Sequence, residues 1–372
     1  MKILFLSENF PPETNAAATR VFERAVYWAK WGHQVTVITT APNFPHGKLF
    51  DGYKNRWKQI EQMDGIRVVR VKSYISANRG VVRRSLDFLS FFVTGTLAGW
   101  AEPRPDVVAA TSPQFFAAVA GWAIGAARRI PFIFELGDLW PTSIAAVGAM
   151  KRGIALRMME VVELFLYRRA AKVAALTQAF KRNLIGRDIS ADKVAVVLTG
   201  VDLPRYSPRA RDAALAEKWG LTGKFVIGYV GTHGMAHGLI NVLDAAEILA
   251  PMEGIRFLFA GAGAERDMLI DAVQARGLEN IRFLPAQPKD AMPAVWSLCD
   301  VALVHLRDLP AFAEVIPSKI FEAMAMGLPI LLAAPKGEAA EIIEGHGAGR
   351  WVAPEAPEEL AAAVRALAED GE

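Results

Sequence analysis

Short β-branched runs alternate with helical stretches along all 372 residues, and this repeated order limits the possible folds more than any other feature. Strand-like runs fall at 2–6, 34–39, 67–71, 106–110, 131–135, 173–176 and 194–198. Others follow at 225–230, 256–260, 281–284, 301–306, 329–333 and 350–352. Helical stretches stand between most of them, including 18–31, 115–128, 154–171, 241–249, 265–276 and 318–326. A strand-then-helix repeat buries both faces of a parallel sheet. About a dozen strands exceed one ordinary sheet. The expected fold is therefore α/β, with two doubly wound, Rossmann-like parallel-sheet domains at 1–200 and 201–372. Gly200-Val201-Asp202, Pro204, Pro208 and a short helix at 210–219 mark the break. Two such domains are expected to face across a cleft at the C-terminal ends of their strands, where open α/β sheets bind ligands.

Composition narrows the function classes. Half the residues are hydrophobic (52%) and 22% are charged, which excludes a disordered chain. The single cysteine, Cys299, excludes an intrachain disulfide and a thiolate zinc cluster and fits a reducing compartment. Met1 leads straight into an apolar strand, so no signal peptide is expected. The apolar stretch 86–100 is short of the roughly 20 residues that span a bilayer, and 107–127 is interrupted by Ser112-Pro113-Gln114. The net charge of +3 hides a split. Residues 1–195 hold 27 Lys and Arg against 15 Asp and Glu; residues 196–372 hold 15 against 24. The basic half suits an anionic lipid surface, a phosphorylated acceptor or nucleic acid. No recognised nucleic-acid motif accompanies the charge, so nucleic acid is not the expected partner.

The sharpest constellation is Glu314-Val-Ile-Pro-Ser-Lys-Ile-Phe-Glu322. Pro317 fits the first turn of a helix, placing Glu314 in the loop before it and Glu322 on the helix. Lys319 and the helix start offer positive potential to a phosphate, and carboxylates accept hydrogen bonds from sugar or ribose hydroxyls. Two glutamates are usually solvated surface charges; the loop-to-helix setting and the Ala325-Met-Gly-Leu-Pro329 run argue against that here. A second candidate is Tyr229-Val-Gly-Thr-His-Gly-Met-Ala-His-Gly238, where a strand ends in Gly231 and Gly234 allows a tight turn. Backbone N–H groups in such a turn bind phosphate. His233 and His237 are either turn histidines or phosphate partners, and they lack a third ligand for zinc. Gly261-Ala-Gly263 ends another strand but lacks the third glycine of a dinucleotide fingerprint. Ala286 and Gln287 follow the next strand.

The Glu-x7-Glu pair followed by Ala-Met-x-x-Gly-x-Pro resembles the donor-site signature of the retaining glycosyltransferases of family 4, which have the GT-B fold. Other segments agree in order and spacing: Asn9-Phe-Pro-Pro-Glu13, Trp31-Gly-His-Gln-Val-Thr-Val37 and Gly200-Val-Asp202. Gly52-Tyr53, Asp64-Gly-Ile-Arg-Val68 and Asp138-Leu-Trp-Pro141 resemble a branch that assembles capsule, O-antigen or colanic-acid-type polysaccharides. The resemblance implies a nucleotide-sugar donor, most simply a UDP-sugar such as an N-acetylated hexosamine. It also implies a lipid-linked saccharide acceptor and no metal or other cofactor. Glu314 would meet the donor sugar and Glu322 the ribose, with Pro317, Ser318 and Lys319 beside the diphosphate. Gly231, Thr232, His233, Gly234, His237, Gly261 and Gly263 would surround the nucleotide, and the backbone at Ala286 and Gln287 would read the base. Relatives carry Gly-Arg-x4-Lys where this chain has Thr232 and His237, so Lys319 becomes the expected main cation, supplemented by His237 if that ring is protonated.

On the N-terminal side, Asn15-Ala16-Ala17 stands where relatives carry a Gly-Gly pair in the first loop, and Glu13 and Asn15 are the expected polar contacts there. Asp138 is expected to orient the acceptor hydroxyl or else to serve as a structural cap; relatives carry Arg where Gly137 stands. Lys48, Lys54, Arg56, Lys58, Arg79, Arg83 and Arg84 interleave with Phe50, Tyr53, Trp57 and Tyr74 before the apolar stretch. This pattern implies a protein peripheral on the inner face of the cell membrane; the plainer alternative is a solvated loop and a buried helix. GT-B chains finish with a helix crossing back to the first domain, and 357–370 as the last helix implies a shortened crossover with looser closure. A GT-B-shaped nucleotide-sugar epimerase and a catalytically weak nucleotide-sugar-binding protein are the competing readings.

Overall fold

The computed structural model describes residues 1–44, 46–76, 81–112, 115–139 and 153–370. Arg79, Pro113, Gln114, Trp140 and Pro141, and the side chain of Arg84, fall outside these. The chain divides into two compact units, Met1–Leu198 and Thr199–Glu372.

The first unit runs β1 (Lys2–Leu6), α1 (Ala16–Lys30), β2 (Gln34–Thr40), β3 (Lys58–Met63), β4 (Ile66–Val71), α2 (Val81–Ala101), β5 (Val107–Thr111) and α3 (Phe115–Arg128). It continues with β6 (Phe132–Leu136), α4 (Ile154–Arg169), β7 (Lys172–Ala175), α5 (Gln178–Gly186) and β8 (Val194–Val196). The eight strands lie in the order β3-β4-β2-β1-β5-β6-β7-β8. All pairs are parallel except β3 with β4, in register from Lys58 opposite Val71 to Met63 opposite Ile66. This edge hairpin corrects the all-parallel expectation. Asp64 and Gly65 both take positive φ (47° and 81°), the conformation of a two-residue hairpin turn. β3 buries no residue fully, so it lacks the apolar run that marks the other strands.

In the second unit, α6 (Ala213–Lys218) precedes β9 (Phe225–Val230), α7 (Ile240–Ile248), β10 (Ile255–Ala260), α8 (Arg266–Arg276), β11 (Ile281–Leu284) and α9 (Met292–Trp296). Then come β12 (Val301–His305), α10 (Lys319–Ala325), β13 (Ile330–Ala333), α11 (Glu338–Gly345), β14 (Gly349–Val352) and α12 (Pro357–Asp370). Its parallel six-stranded order is β11-β10-β9-β12-β13-β14. Both units are doubly wound, as the strand–helix alternation implied.

Each sheet is buried by its own helices. α1 turns Ala18, Val21 and Ala25 inward at helical spacing onto a core of Phe5, Val35, Val37 and Val68. In the second unit Val242, Leu243 and Ala246 of α7 and Leu360 and Val364 of α12 meet Ile227, Phe257 and Phe259. Full burial of the Val, Leu, Ile and Phe side chains among these contributes about 1.5–3 kcal/mol each. No described helix is long and apolar enough to cross a membrane.

Candidate functional site

Sheet order locates the ligand-binding ends. In the second unit β9 connects outward to β10 while β12 lies on its other side, so the loops after β9 and β12 diverge at a switch point. In the first unit the corresponding divergence lies between β1 and β5. The residues singled out from sequence follow the C-terminal ends of strands, and those after β1, β9 and β12 lie at these two places.

The loop after β9 is zipped to the loop after β10. Gly231 N–H donates to the Ala260 carbonyl (2.9 Å), His233 N–H to that of Ala262 (2.9 Å) and Glu265 N–H to that of His233 (3.0 Å). The two backbones touch at Gly231 and Gly261, where a Cβ on Gly261 would collide with the Gly231 carbonyl. Both residues also take positive φ, 137° and 148°, so glycine is required twice over. Gly234 carries no positive φ, but its carbonyl accepts His237 N–H (2.9 Å), so a tight turn does begin there; the positive φ values fall at Gly231 and Gly238. Thr232 is exposed, and its carbonyl accepts the Tyr229 hydroxyl at 2.8 Å.

The histidines supply no charge. His233 is 0% exposed, packed among Tyr229, Phe259 and Phe283, and neither ring nitrogen has a hydrogen-bond partner. Burial, aided by Arg266 and Lys319, pushes its pKa down to about 4. His237 and His305 exchange bonds: His305 Nδ1 lies 2.6 Å from the His237 carbonyl, and His237 Nδ1 lies 3.3 Å from that of His305. These contacts tie the loop to β12. Burial pushes His237 to about 3, which corrects the idea that a protonated His237 replaces the missing cation.

Lys319 is the cation at the centre. Its Nζ has essentially no accessible surface and no hydrogen-bond partner. It sits 3.6 Å from the Tyr229 ring centroid, and a Cβ added to Gly231 would lie 3.0 Å from it. Burial outweighs the neighbouring Glu322 and lowers its pKa to about 7. An ammonium held this way is desolvated, with the ring face as partial compensation.

The Glu314-to-Glu322 segment differs from expectation in one local detail. A short 3-10 turn, Pro310–Glu314, ends at the first glutamate, and α10 begins only at Lys319 with Ser318 as its N-cap. Pro317 therefore precedes the helix instead of occupying its first turn. Glu314 is half-buried and Ser318 exposed. Glu322 is held from two sides: Lys289 Nζ donates to Oε1 (2.7 Å) and the buried Trp296 Nε1 to Oε2 (3.1 Å). Sequence reasoning missed both partners, since nothing local in a chain separated by 26 or 33 positions announces them. It also missed Arg266, whose Nε donates to the Gly261 carbonyl (3.1 Å). Ala286 is exposed and Gln287 half-buried beyond β11.

In the first unit, Glu13 is turned inward and is 2% exposed. It accepts the N–H groups of Asn43 (2.7 Å) and Phe44 (2.8 Å) and the amide of Asn9 (2.7 Å). Burial raises its pKa despite those bonds. It braces two loops, unlike the open contact expected of it. Asn15 is the N-cap of α1, accepting Ala18 N–H at 2.9 Å; its buried Nδ2 has no partner. Asp138 is half-buried beyond β6, and Ser112 Oγ donates to its carbonyl (3.2 Å).

Arg20 was also missed. With Arg24 it clamps the buried Glu135 (2.8 and 3.0 Å), and its Nη2 donates to Thr111 Oγ1 (3.0 Å). Burial raises the Glu135 carboxyl, but Arg24 and Arg20 outweigh it and hold it below the usual range. A Cβ on Gly137 would collide with the Arg20 guanidinium. An arginine from α1 thus occupies the space beside position 137.

Among the described residues, no group of three or more His, Cys, Asp or Glu side chains is placed to hold a metal ion.

The family model described as Glycosyl transferase 4-like domain matches residues 15–200, and that described as Glycosyl transferases group 1 matches 212–372. The chain belongs to the family 4 glycosyltransferases. This glycosyltransferase is similar to the candidate colanic acid biosynthesis glycosyl transferase WcaI of Escherichia coli (strain K12), 26% identical over 98% of this chain and 91% of WcaI. It is 27% identical to a GDP-mannose-dependent alpha-mannosyltransferase of Mycobacterium tuberculosis, over 94% of this chain and 83% of that one. Its fold is shared by Anabaena HepE in complex with UDP-glucose (TM-score 0.73, 20% identity, 100% and 90% of the chains covered). The sucrose-phosphate synthase of Thermosynechococcus elongatus also shares it (TM-score 0.77, 18% identity, 99% and 90%). The glycosyltransferase therefore draws on a nucleotide-sugar donor and has relatives in bacterial polysaccharide synthesis.

Proposed function

We propose that this family 4 enzyme is a retaining, metal-independent hexosyltransferase. It moves a sugar, such as an N-acetylated hexosamine, from a UDP donor to a lipid-linked saccharide at the inner face of the cell membrane, in surface-polysaccharide assembly. The second unit takes the donor and the first the acceptor. The observation that carries this reading is Lys319: a desolvated ammonium without an acceptor, beside the glycine loops at Gly231 and Gly261. A diphosphate supplies what it lacks, and Arg266 is near enough to the same loop to assist. Glu322, preset by Lys289 and Trp296, receives the ribose hydroxyls, and Glu314 meets the donor sugar. The UDP complexes of HepE support uridine as the base.

In the reaction, the acceptor hydroxyl attacks the anomeric carbon from the face that the diphosphate leaves. The bond from that carbon to the phosphate oxygen breaks, and the hydroxyl proton passes to the departing phosphate. No protein nucleophile is needed. The chain's contribution is positioning and stabilisation of the charge developing on the phosphate. Asp138 orients the acceptor hydroxyl.

Thermal unfolding with UDP, GDP, ADP and NAD, each with and without EDTA, tests the donor assignment. A UDP shift untouched by EDTA is expected, and at 100 times Kd it corresponds to about 2.7 kcal/mol. A shift with NAD alone overturns the reading. Donor hydrolysis lost in Glu314→Ala separates an enzyme from a binding protein.

A further inference from the structure

Helices on the outside of a sheet normally show charge to solvent, and α2 does not beyond its first two turns. Leu86, Leu89, Val93, Leu97 and Trp100 are all exposed, Leu97 by 65%. At about 100° per residue they share an arc of roughly 80°, opposite the buried Phe91, Gly95 and Ala98. No charged residue follows Asp87 in the helix.

Three hydroxyls of α2 are turned back on its own backbone. Ser90 Oγ donates to the Asp87 carbonyl (2.7 Å), Thr94 Oγ1 to that of Ser90 (2.9 Å) and Thr96 Oγ1 to that of Phe92 (2.6 Å). Polar groups satisfied in this way do not require water.

α4 repeats the pattern: Ile154 (80% exposed), Met158, Val161 and Val162 lie along one side, opposite the buried Glu163, Leu166 and Tyr167. The crossovers from β4 to β5, β5 to β6 and β6 to β7 run the same way along the sheet. Right-handed connections therefore set α2, α3 and α4 side by side on one face. α3 packs against both neighbours, through Phe88 on Phe116 and Trp122 on Phe165.

Cations rim this apolar face. Arg83, Arg157, Arg168 and Arg169 are exposed, while the nearby Glu160 is paired with Arg187. Beside the start of α2, Tyr74 N–H donates to Ser90 Oγ, and Asn55 is bonded to Ser73. These bonds bring the exposed Trp57, Lys54, Arg56 and Lys72 alongside.

We propose that the outward face of α2 and α4 is the surface by which the chain lies on an anionic bilayer, sinking its apolar side chains among the acyl chains without crossing. An apolar stripe with aromatic ends and an arginine rim matches the interfacial environment in both depth and charge. A second copy would bring like-charged rims together. The inference rests on the proposed membrane-linked acceptor but assigns the face and the mode of contact.

The test is co-sedimentation with vesicles of phosphatidylcholine containing 30% phosphatidylglycerol, against phosphatidylcholine alone. Wild-type protein is expected in the anionic pellet. The double variants Val93→Asp/Leu97→Asp and Ile154→Asp/Met158→Asp should each bind about tenfold less. Those side chains already face solvent, so both variants should keep their melting temperature and their shift with UDP. Wild-type protein remaining in the supernatant, or variants that sediment equally, overturns the proposal. So does a dimer that Leu97→Asp dissociates, which makes the face a contact between copies. Stripe-dependent vesicle binding in a protein that responds to no nucleotide leaves this face standing while the donor reading fails.

Discussion

Lys319 makes donor affinity a function of pH. Its ammonium is buried and unbonded against Tyr229, with a pKa lowered to about 7 by burial. The groups facing it do not titrate with it: His233 and His237 are held at about 4 and about 3, His305 is lowered by its own burial, and Tyr229 is raised well above its ordinary value. Glu322 is engaged by Lys289 and Trp296. A diphosphate binds the protonated form, so affinity should follow the protonated fraction. That fraction is about three quarters at pH 6.5 and about 3% at pH 8.5, a roughly 25-fold loss. UDP-glucose is a suitable probe because its diphosphate stays fully ionised across this range. Kd by calorimetry should rise about tenfold per unit above the midpoint, with proton uptake on binding seen as a buffer-dependent enthalpy. Lys319→Met should be flat with pH and, at pH 6.5, weaker by roughly 10- to 150-fold, the worth of a charged hydrogen bond. A flat wild-type profile, or the same slope in Lys319→Met, refutes the reasoning.

The same shift has a stability consequence. Between about 7 and the ordinary 10.5 the unfolded chain binds the proton that the folded chain lacks. Stability without donor should therefore rise with pH across this window, by on the order of 5 kcal/mol if the group acts alone, and urea titrations of wild type against Lys319→Met should diverge there. Glu135→Gln should cost about 3–5 kcal/mol by leaving the Arg20 and Arg24 clamp uncompensated, read as a lower urea midpoint. Gly261→Ala forces a Cβ onto the Gly231 carbonyl at φ 148°; a lost UDP shift is expected, with roughly 1–3 kcal/mol of destabilisation. Glu322→Gln should raise the Kd for UDP about tenfold, the loss of about 1.4 kcal/mol, while leaving the Lys319-dependent pH slope intact.

Local pattern determined much of this protein. Apolar runs of strand length followed by helical periodicity need only neighbouring residues to be recognised, so two doubly wound sheets and the placing of Gly231, Gly261, Glu314 and Glu322 on loops and helix starts were legible. The β3 hairpin carried a legible sign as well, Asp64-Gly65, but its exposed edge position hid the strand. Charge state and partnership were not legible, because desolvation depends on what distant segments place around a side chain. His237 is neutral because packing of its loop against β12 buries it, and Lys319 is stripped of water because the β9 loop lies over it. Lys289 and Trp296 reach Glu322, and Arg20 fills the space left by Gly137, only once strand order brings remote chain segments together. The apolar stretch at 86–100 was visible from the start. That its outer side faces solvent beside a second exposed stripe on α4 was decided by packing, since α3 covers only one side of each helix.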